Sequence, residues 1–141
     1  MHHFLPLFEE RYSQTKQRSL VINVSSQNGL EPTPFISVYS ATKVYDNFLS
    51  QAVGASVSES ITMVSVTPLG VATNMSKQVD PKGSPMLVSA KDYAKAVLNN
   101  LHSEQTIAHW FHEFQHLPLQ AIPERWRTTL LRKILRTVIF K

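Results

Sequence analysis

Residues 21–43 read V-I-N-V-S-S-Q-N-G-L-E-P-T-P-F-I-S-V-Y-S-A-T-K. The short apolar run from Leu20 to Val24, broken only by Asn23, reads as a buried strand of a parallel sheet. Asn28-Gly29, Pro32 and Pro34 then mark a loop, and a helix is predicted from about Ile36 to Ala55. On that helix Tyr39 and Lys43, four residues apart, share one face. An ammonium beside a phenol favours the phenolate and lowers the phenol's pKa from about 10. A phenol so tuned is a usable general acid or base. Ser26 stands 13 residues before Tyr39, at the carboxyl end of the strand, where open α/β sheets bind ligands. Ser26, Tyr39 and Lys43 can therefore converge on one carbonyl or alcohol oxygen.

Working outward, the predicted helix carries Tyr39, Lys43 and Asn47 as one stripe, with Phe35, Val38, Phe48, Leu49 and Val53 available to a core. Ile61 to Val66 is rich in β-branched residues and reads as a second strand. The loop P-L-G-V-A-T, Pro68 to Thr73, follows it. Asn74 to Leu87 is mixed and contains Pro81, Gly83 and Pro85. Ser89-Ala-Lys-Asp92 resembles a capping box and opens a helix predicted to run to about His102. Thr106 to Phe111 reads as a third strand. Before the central stretch, Met1 to Tyr12 places Phe4, Leu5, Phe8 and Tyr12 at helical spacing, and Ser13 to Ser19 reads as a loop. Strands alternating with helices imply an α/β fold on a parallel sheet.

The Y-S-A-T-K motif, after N-V-S-S and the E-P-T-P loop, resembles the short-chain dehydrogenase/reductase family. It is most similar to its 17-beta-hydroxysteroid dehydrogenase and very-long-chain 3-oxoacyl-CoA reductase branch. The resemblance implies the C-terminal part of a Rossmann-like doubly wound parallel sheet. It implies Ser26, Tyr39 and Lys43 as catalytic residues, with Tyr39 and Lys43 also touching NADP(H). Pro68, Val71 and Thr73 match the loop that meets the nicotinamide end of that cofactor; Leu69 departs from the pattern, standing where glycine is usual. Asn74 to Leu87 corresponds to the family's substrate loop. The implied activity interconverts a ketone and a secondary alcohol on a steroid or fatty-acyl (3-oxoacyl-CoA) substrate.

The four glycines, Gly29, Gly54, Gly70 and Gly83, include no G-x-G pair. The Gly-rich N-terminal half that holds the pyrophosphate at a helix N-terminus thus has no counterpart, and the family's tetrad asparagine would fall before Met1. The chain by itself is expected to be inactive. The alternative is a non-catalytic module that associates with other chains or membranes. The strand from Leu20 to Ser25, expected to be central in a complete sheet, would have one side unpaired, which favours self-association into a homo-oligomer or a poorly soluble product.

Composition bounds the remaining classes. Hydrophobic residues make up 43% and charged residues 17% of the chain, which allows a packed core and argues against disorder. There is no cysteine, so no thiolate chemistry and no disulfide. No apolar run reaches the length of a spanning helix, and the N-terminus lacks the pattern of a signal peptide. Residues 125–141 carry six basic side chains and no acidic one, leaving the rest slightly acidic. Nucleic acid is therefore not an expected partner of the body. This divides the chain into a domain at residues 1–124 and a basic amphipathic helix at 125–141, with Trp126, Leu130, Leu131, Ile134, Leu135 and Val138 on one stripe. Such a helix binds a membrane surface or docks on the protein's own core, and both readings stay open. The resembled branch is largely associated with the endoplasmic reticulum, so that membrane is the expected location, and otherwise the cytoplasm. His112-Glu113-Phe114-Gln115-His116 matches H-E-x-x-H. Pro118 follows closely, no third ligand stands at the extended spacing, and a zinc protease is disfavoured. A polar loop and helix turn is expected there instead, with His109 able to add adventitious metal binding.

Overall fold

The structure is a computed structural model that describes residues 3–57, 59–79 and 84–139. Met1, Pro81, Gly83 and Lys141 lie outside the described residues, as does the Val138 side chain. In chain order the elements are α1 (Leu5–Thr15), β1 (Ser19–Val24), α2 (Ser37–Ser56), β2 (Ile61–Val66), β3 (Val71–Ala72), α3 (Asn74–Val79), β4 (Val88–Ser89), α4 (Ala90–Asn99), β5 (Gln105–Thr106), α5 (Trp110–Gln120) and α6 (Glu124–Ile139). A 3₁₀ turn, Gln27–Gly29, lies between β1 and α2.

The main sheet has the order β1-β2-β5 and is parallel throughout. β1 and β2 run in register from Ser19 opposite Ile61 to Val24 opposite Val66. Side chains alternate between the faces of a strand. Ile22, Val64 and Val66 point to one face and pack with Val88, Tyr93, Val97 and Ala108 into the apolar core, so α4 covers this side. Asn23, Met63 and Ser65 point to the other face, where α2 lies. Gly54 of α2 comes so close that an added Cβ would stand 3.0 Å from the Met63 Cβ. A second, two-stranded parallel sheet pairs Val71 with Val88 and Ala72 with Ser89.

Several sequence expectations need correction. α1 continues through Thr15 instead of ending near Tyr12, and the hydroxyls of Ser13 and Thr15 bond back to the carbonyls of Glu10 and Arg11. Lys16 then stops it in the left-handed region, with φ 57°. α4 ends at Asn99, and Asn100, not His102, closes it. The third strand is only Gln105–Thr106. Its expected continuation is bent away by Ala108 at φ 67°, and Trp110 already starts α5. That helix runs through Pro118, where the lost N–H falls in the last turn and costs no further turns. The H-E-x-x-H residues are therefore helical throughout, in place of the expected loop and helix turn.

The largest inversion is on α2. Phe35, Val38 and Phe48, assigned to a core, are exposed, while Ser40, Asn47 and Ser50 are buried. The sheet face beneath is polar, and Asn23 Nδ2 donates to Ser50 Oγ at 2.6 Å and to the Asp46 carbonyl at 2.9 Å. Ser50 thereby meets the one strongly polar group on that face, while the buried Ser40 Oγ, Asn47 Oδ1 and Ser65 Oγ have no hydrogen-bond partner among the described residues. β1 pairs only with β2 among the described residues, and Leu20 and Val24 are exposed along with that edge.

The 3₁₀ turn lies directly on the backbone of α2. A Cβ at Gly29 would sit 2.6 Å from the carbonyl carbon and 2.7 Å from the oxygen of Lys43. Gly29→Ala is expected to destabilise the protein by about 1–3 kcal/mol through overpacking. The shift should appear in the urea midpoint with the slope unchanged.

Candidate active site

β1 ends in two serines with different duties. Ser25 donates its backbone N–H to the Val66 carbonyl at 2.9 Å, extending the ladder with β2. Its hydroxyl donates to the Lys43 carbonyl at 2.7 Å. The strand end is thus joined to the turn of α2 that carries Lys43. Ser26 is extended and buried, 6% exposed, and its Oγ accepts from the Asn28 N–H at 3.2 Å, capping the 3₁₀ turn.

On α2, Tyr39 and Lys43 are neighbours, with the Lys43 ammonium 5.9 Å from the centre of the Tyr39 ring. That ammonium does not float. It donates to the Val24 carbonyl at 3.0 Å and to the Asp46 carboxylate at 3.0 Å. Tyr39 is 37% exposed, open to a ligand from outside. The structure therefore brings Tyr39 and Lys43 together and holds Lys43 on the strand that leads to Ser26.

The loop of Pro68, Val71 and Thr73 adjoins the same strand end. The Gln27 N–H donates to the Pro68 carbonyl at 3.0 Å, coupling the residue after Ser26 to the first residue of the loop. Val71 is in β3. Thr73 opens α3 through reciprocal bonds with Ser76: its N–H donates to Ser76 Oγ at 2.9 Å, and the Ser76 N–H donates to its Oγ1 at 3.4 Å. Through these bonds the Pro68–Thr73 loop is held against the strand end that carries Ser26. The sequence holds no paired glycines of the kind that approach a pyrophosphate.

The roles of three residues escaped the sequence reading. Ser25 sets the crossing of β1 and α2; its signal was adjacency to Ser26. Asp46 binds Lys43 and stands three residues beyond it, a spacing at which helical side chains meet. His112 reaches the Pro68–Thr73 loop from α5. Of the H-E-x-x-H residues, His112 and His116 are buried and Glu113 is exposed. Both His112 nitrogens face backbone groups, and His116 Nε2 lies 2.6 Å from Gln120 Nε2. Burial holds both imidazoles below the usual histidine pKa, with His116 pulled partly back up by Glu31.

Residues 1–83 match the family model for short chain dehydrogenase. The chain is 30% identical over 143 aligned positions to the human protein named inactive hydroxysteroid dehydrogenase-like protein 1, spanning 96% of this chain and 42% of that one. It is 37% identical over 67 positions to the very-long-chain 3-oxoacyl-CoA reductase of Anas platyrhynchos, spanning 47% of this chain and 22% of that one. The chain thus covers well under half the length of these relatives. Among solved structures, a short-chain dehydrogenase from Sphingobium yanoikuyae in complex with NADPH superposes with a TM-score of 0.56 at 24% identity, over 77% of this chain and 45% of that one. The matched model, the relatives and the shared fold have one meaning: this chain belongs to the short-chain dehydrogenase family.

Proposed function

We propose that Ser26, Tyr39 and Lys43 serve proton transfer at a ketone or secondary alcohol on a steroid or fatty-acyl substrate. The observation that carries this reading is the joint at Lys43, which sits beside Tyr39 and is tied to β1 through Val24 and Ser25. In this reading the Tyr39 hydroxyl gives a proton to the substrate oxygen during reduction and takes it back during oxidation. The Lys43 ammonium stabilises the phenolate left behind. Ser26 donates a hydrogen bond that orients the substrate oxygen. NADP(H), when bound, supplies or accepts the hydride; Tyr39, Lys43, Pro68, Val71 and Thr73 are the residues here that would hold its nicotinamide end. Without a Gly-rich turn in these 141 residues, the chain alone is expected neither to hold the nucleotide usefully nor to turn over. Orientation of reactants is worth roughly 7–11 kcal/mol of a barrier.

A second reading, a non-catalytic module, is favoured by the name of the human relative, which calls that protein inactive. Turnover decides between the two. In a chain that carries a family Gly-rich half upstream of these residues, Tyr39→Phe should lower turnover by about 10²–10⁴-fold, the usual worth of a positioned acid or base, with the unfolding midpoint unchanged. Unaltered turnover in that variant, or none in the parent, would leave the non-catalytic reading standing.

We further propose that α6 meets an anionic membrane surface, at the endoplasmic reticulum as the resemblance implies. Trp126, Leu130 and Ile134 recur every four residues and are all exposed, Trp126 at 64%. Arg125, Arg132, Lys133 and Arg136 are exposed on the same helix. That pairing of an apolar stripe with basic flanks suits a lipid interface. α6 is also fastened to the body, since Arg127 Nε lies 2.8 Å from Glu31 Oε2, both side chains largely shielded. No helix of the described residues is long and apolar enough to cross a membrane. The full chain should bind phosphatidylserine vesicles and release them as salt screens the basic contacts. Replacing Leu130 and Ile134 together by aspartate should abolish sedimentation with the vesicles; retained binding would remove α6 from the interface.

A further inference from the structure

α5 begins from an unusual turn. Ala108 stands at φ 67°, and the His109 N–H donates to the Ile107 carbonyl across it at 2.9 Å. A γ-turn of this kind is strained for a residue with a Cβ and persists only where its surroundings hold it. They do so here: the Tyr93 hydroxyl donates to the Ile107 carbonyl at 3.3 Å, and Asn100 Nδ2 to the Ala108 carbonyl at 3.1 Å. The turn aims the first turn of α5 at the Pro68–Thr73 loop.

The residue delivered there is His112, which is 0% exposed. Its Nδ1 lies 3.4 Å from the Leu69 amide nitrogen, and its Nε2 lies 3.1 Å from the Gly70 carbonyl oxygen. The ring thus spans an N–H and a C=O of consecutive residues. Gly70 is pinned from the other side as well: its carbonyl also accepts from the Val88 N–H at 3.0 Å, and a Cβ there would meet Leu87 at 2.6 Å.

We propose that His112 is the positioning residue of the Pro68–Thr73 loop, holding the Leu69 and Gly70 backbone so that Val71 and Thr73 stand where the nicotinamide end of a cofactor would lie. The functional meaning rests on the oxidoreductase reading; the clamp itself does not. Its chemistry demands one form of the ring. Nδ1 must accept from Leu69 and Nε2–H must donate to Gly70, which only the neutral Nε2–H tautomer does. A protonated ring would turn an N–H toward the Leu69 N–H. The neighbours permit the neutral form: the Tyr93 ring of α4 lies 5.3 Å away and the His109 ring 5.6 Å away, and burial disfavours the charged imidazole.

The test uses the full ¹⁵N-labelled chain without nucleotide. Long-range ¹H–¹⁵N spectra should show His112 as the Nε2–H tautomer with an unprotonated Nδ1; the opposite tautomer overturns the proposal. Amide exchange then separates positioning from packing. His112→Phe should speed exchange at Leu69 by about tenfold or more and move the Val71 and Thr73 resonances, while Val64 and Val66 in β2 keep their rates. His112→Asn, which can present a carbonyl toward the Leu69 N–H, should restore much of that protection. Equal Leu69 exchange in all three proteins, or acceleration of β2 in step with Leu69, overturns it. Should the phenylalanine variant fail to fold, the tautomer and the asparagine variant still decide. NADPH titration of the same samples is scored separately, since weak binding beside an intact clamp counts against the cofactor reading alone.

Discussion

The hydrogen bond from the Ser25 hydroxyl to the Lys43 carbonyl, at 2.7 Å, joins the carboxyl end of β1 to the middle of α2. Around it the chain has little freedom. Gly29 lies against the backbone at the same residue, too close for any side chain, and the Lys43 ammonium returns to the carbonyl of Val24. Three contacts from one strand end thus meet one residue of the helix. Slippage of β1 by a single residue would turn Ser25 and Ser26 each to the face opposite its present one and dismantle the joint. Ser26, the Tyr39–Lys43 pair and, through Gln27, the Pro68 loop take their relative positions from this crossing.

The same crossing accounts for the polar packing beneath α2. Asn23, Asp46 and Ser50 form a hydrogen-bonded seam where a simple amphipathic helix would bury leucine and valine. The bonds from Asn23 and Ser50 favour one register, since a slip would break them, although the buried Ser40 Oγ, Asn47 Oδ1 and Ser65 Oγ have no hydrogen-bond partner among the described residues. The apolar residues displaced from that side, Val38, Tyr45 and Phe48, face outward. Among the described residues, β1 also has no neighbour on its second edge.

Much of this was legible in the amino-acid order. Ile61 to Val66 shows itself through β-branched residues, and Ser89 with Asp92 through capping chemistry that the structure reproduces. The Ser26, Tyr39 and Lys43 spacing identified the family from one short stretch. What escaped was set by tertiary contact. The buried face of α2 is tied to Asn23 on the sheet, a tertiary contact that helical periodicity cannot register. The bend at Ala108 depends on Tyr93 and Asn100, whose spacing from it carries no recognisable pattern. His112 looked like part of a metal motif because its true partners are backbone atoms of Leu69 and Gly70, which leave no mark in side-chain spacing.

The central claim is that β1 and α2 cross at Lys43 in close contact, and nuclear Overhauser measurements on the isotope-labelled chain test it directly. The account predicts strong cross-peaks from the Gly29 α-protons to the α- and β-protons of Lys43, because a Cβ at Gly29 would stand only 2.9 Å from the Lys43 Cβ. Absence of those cross-peaks, with α2 intact by its sequential pattern, would contradict it.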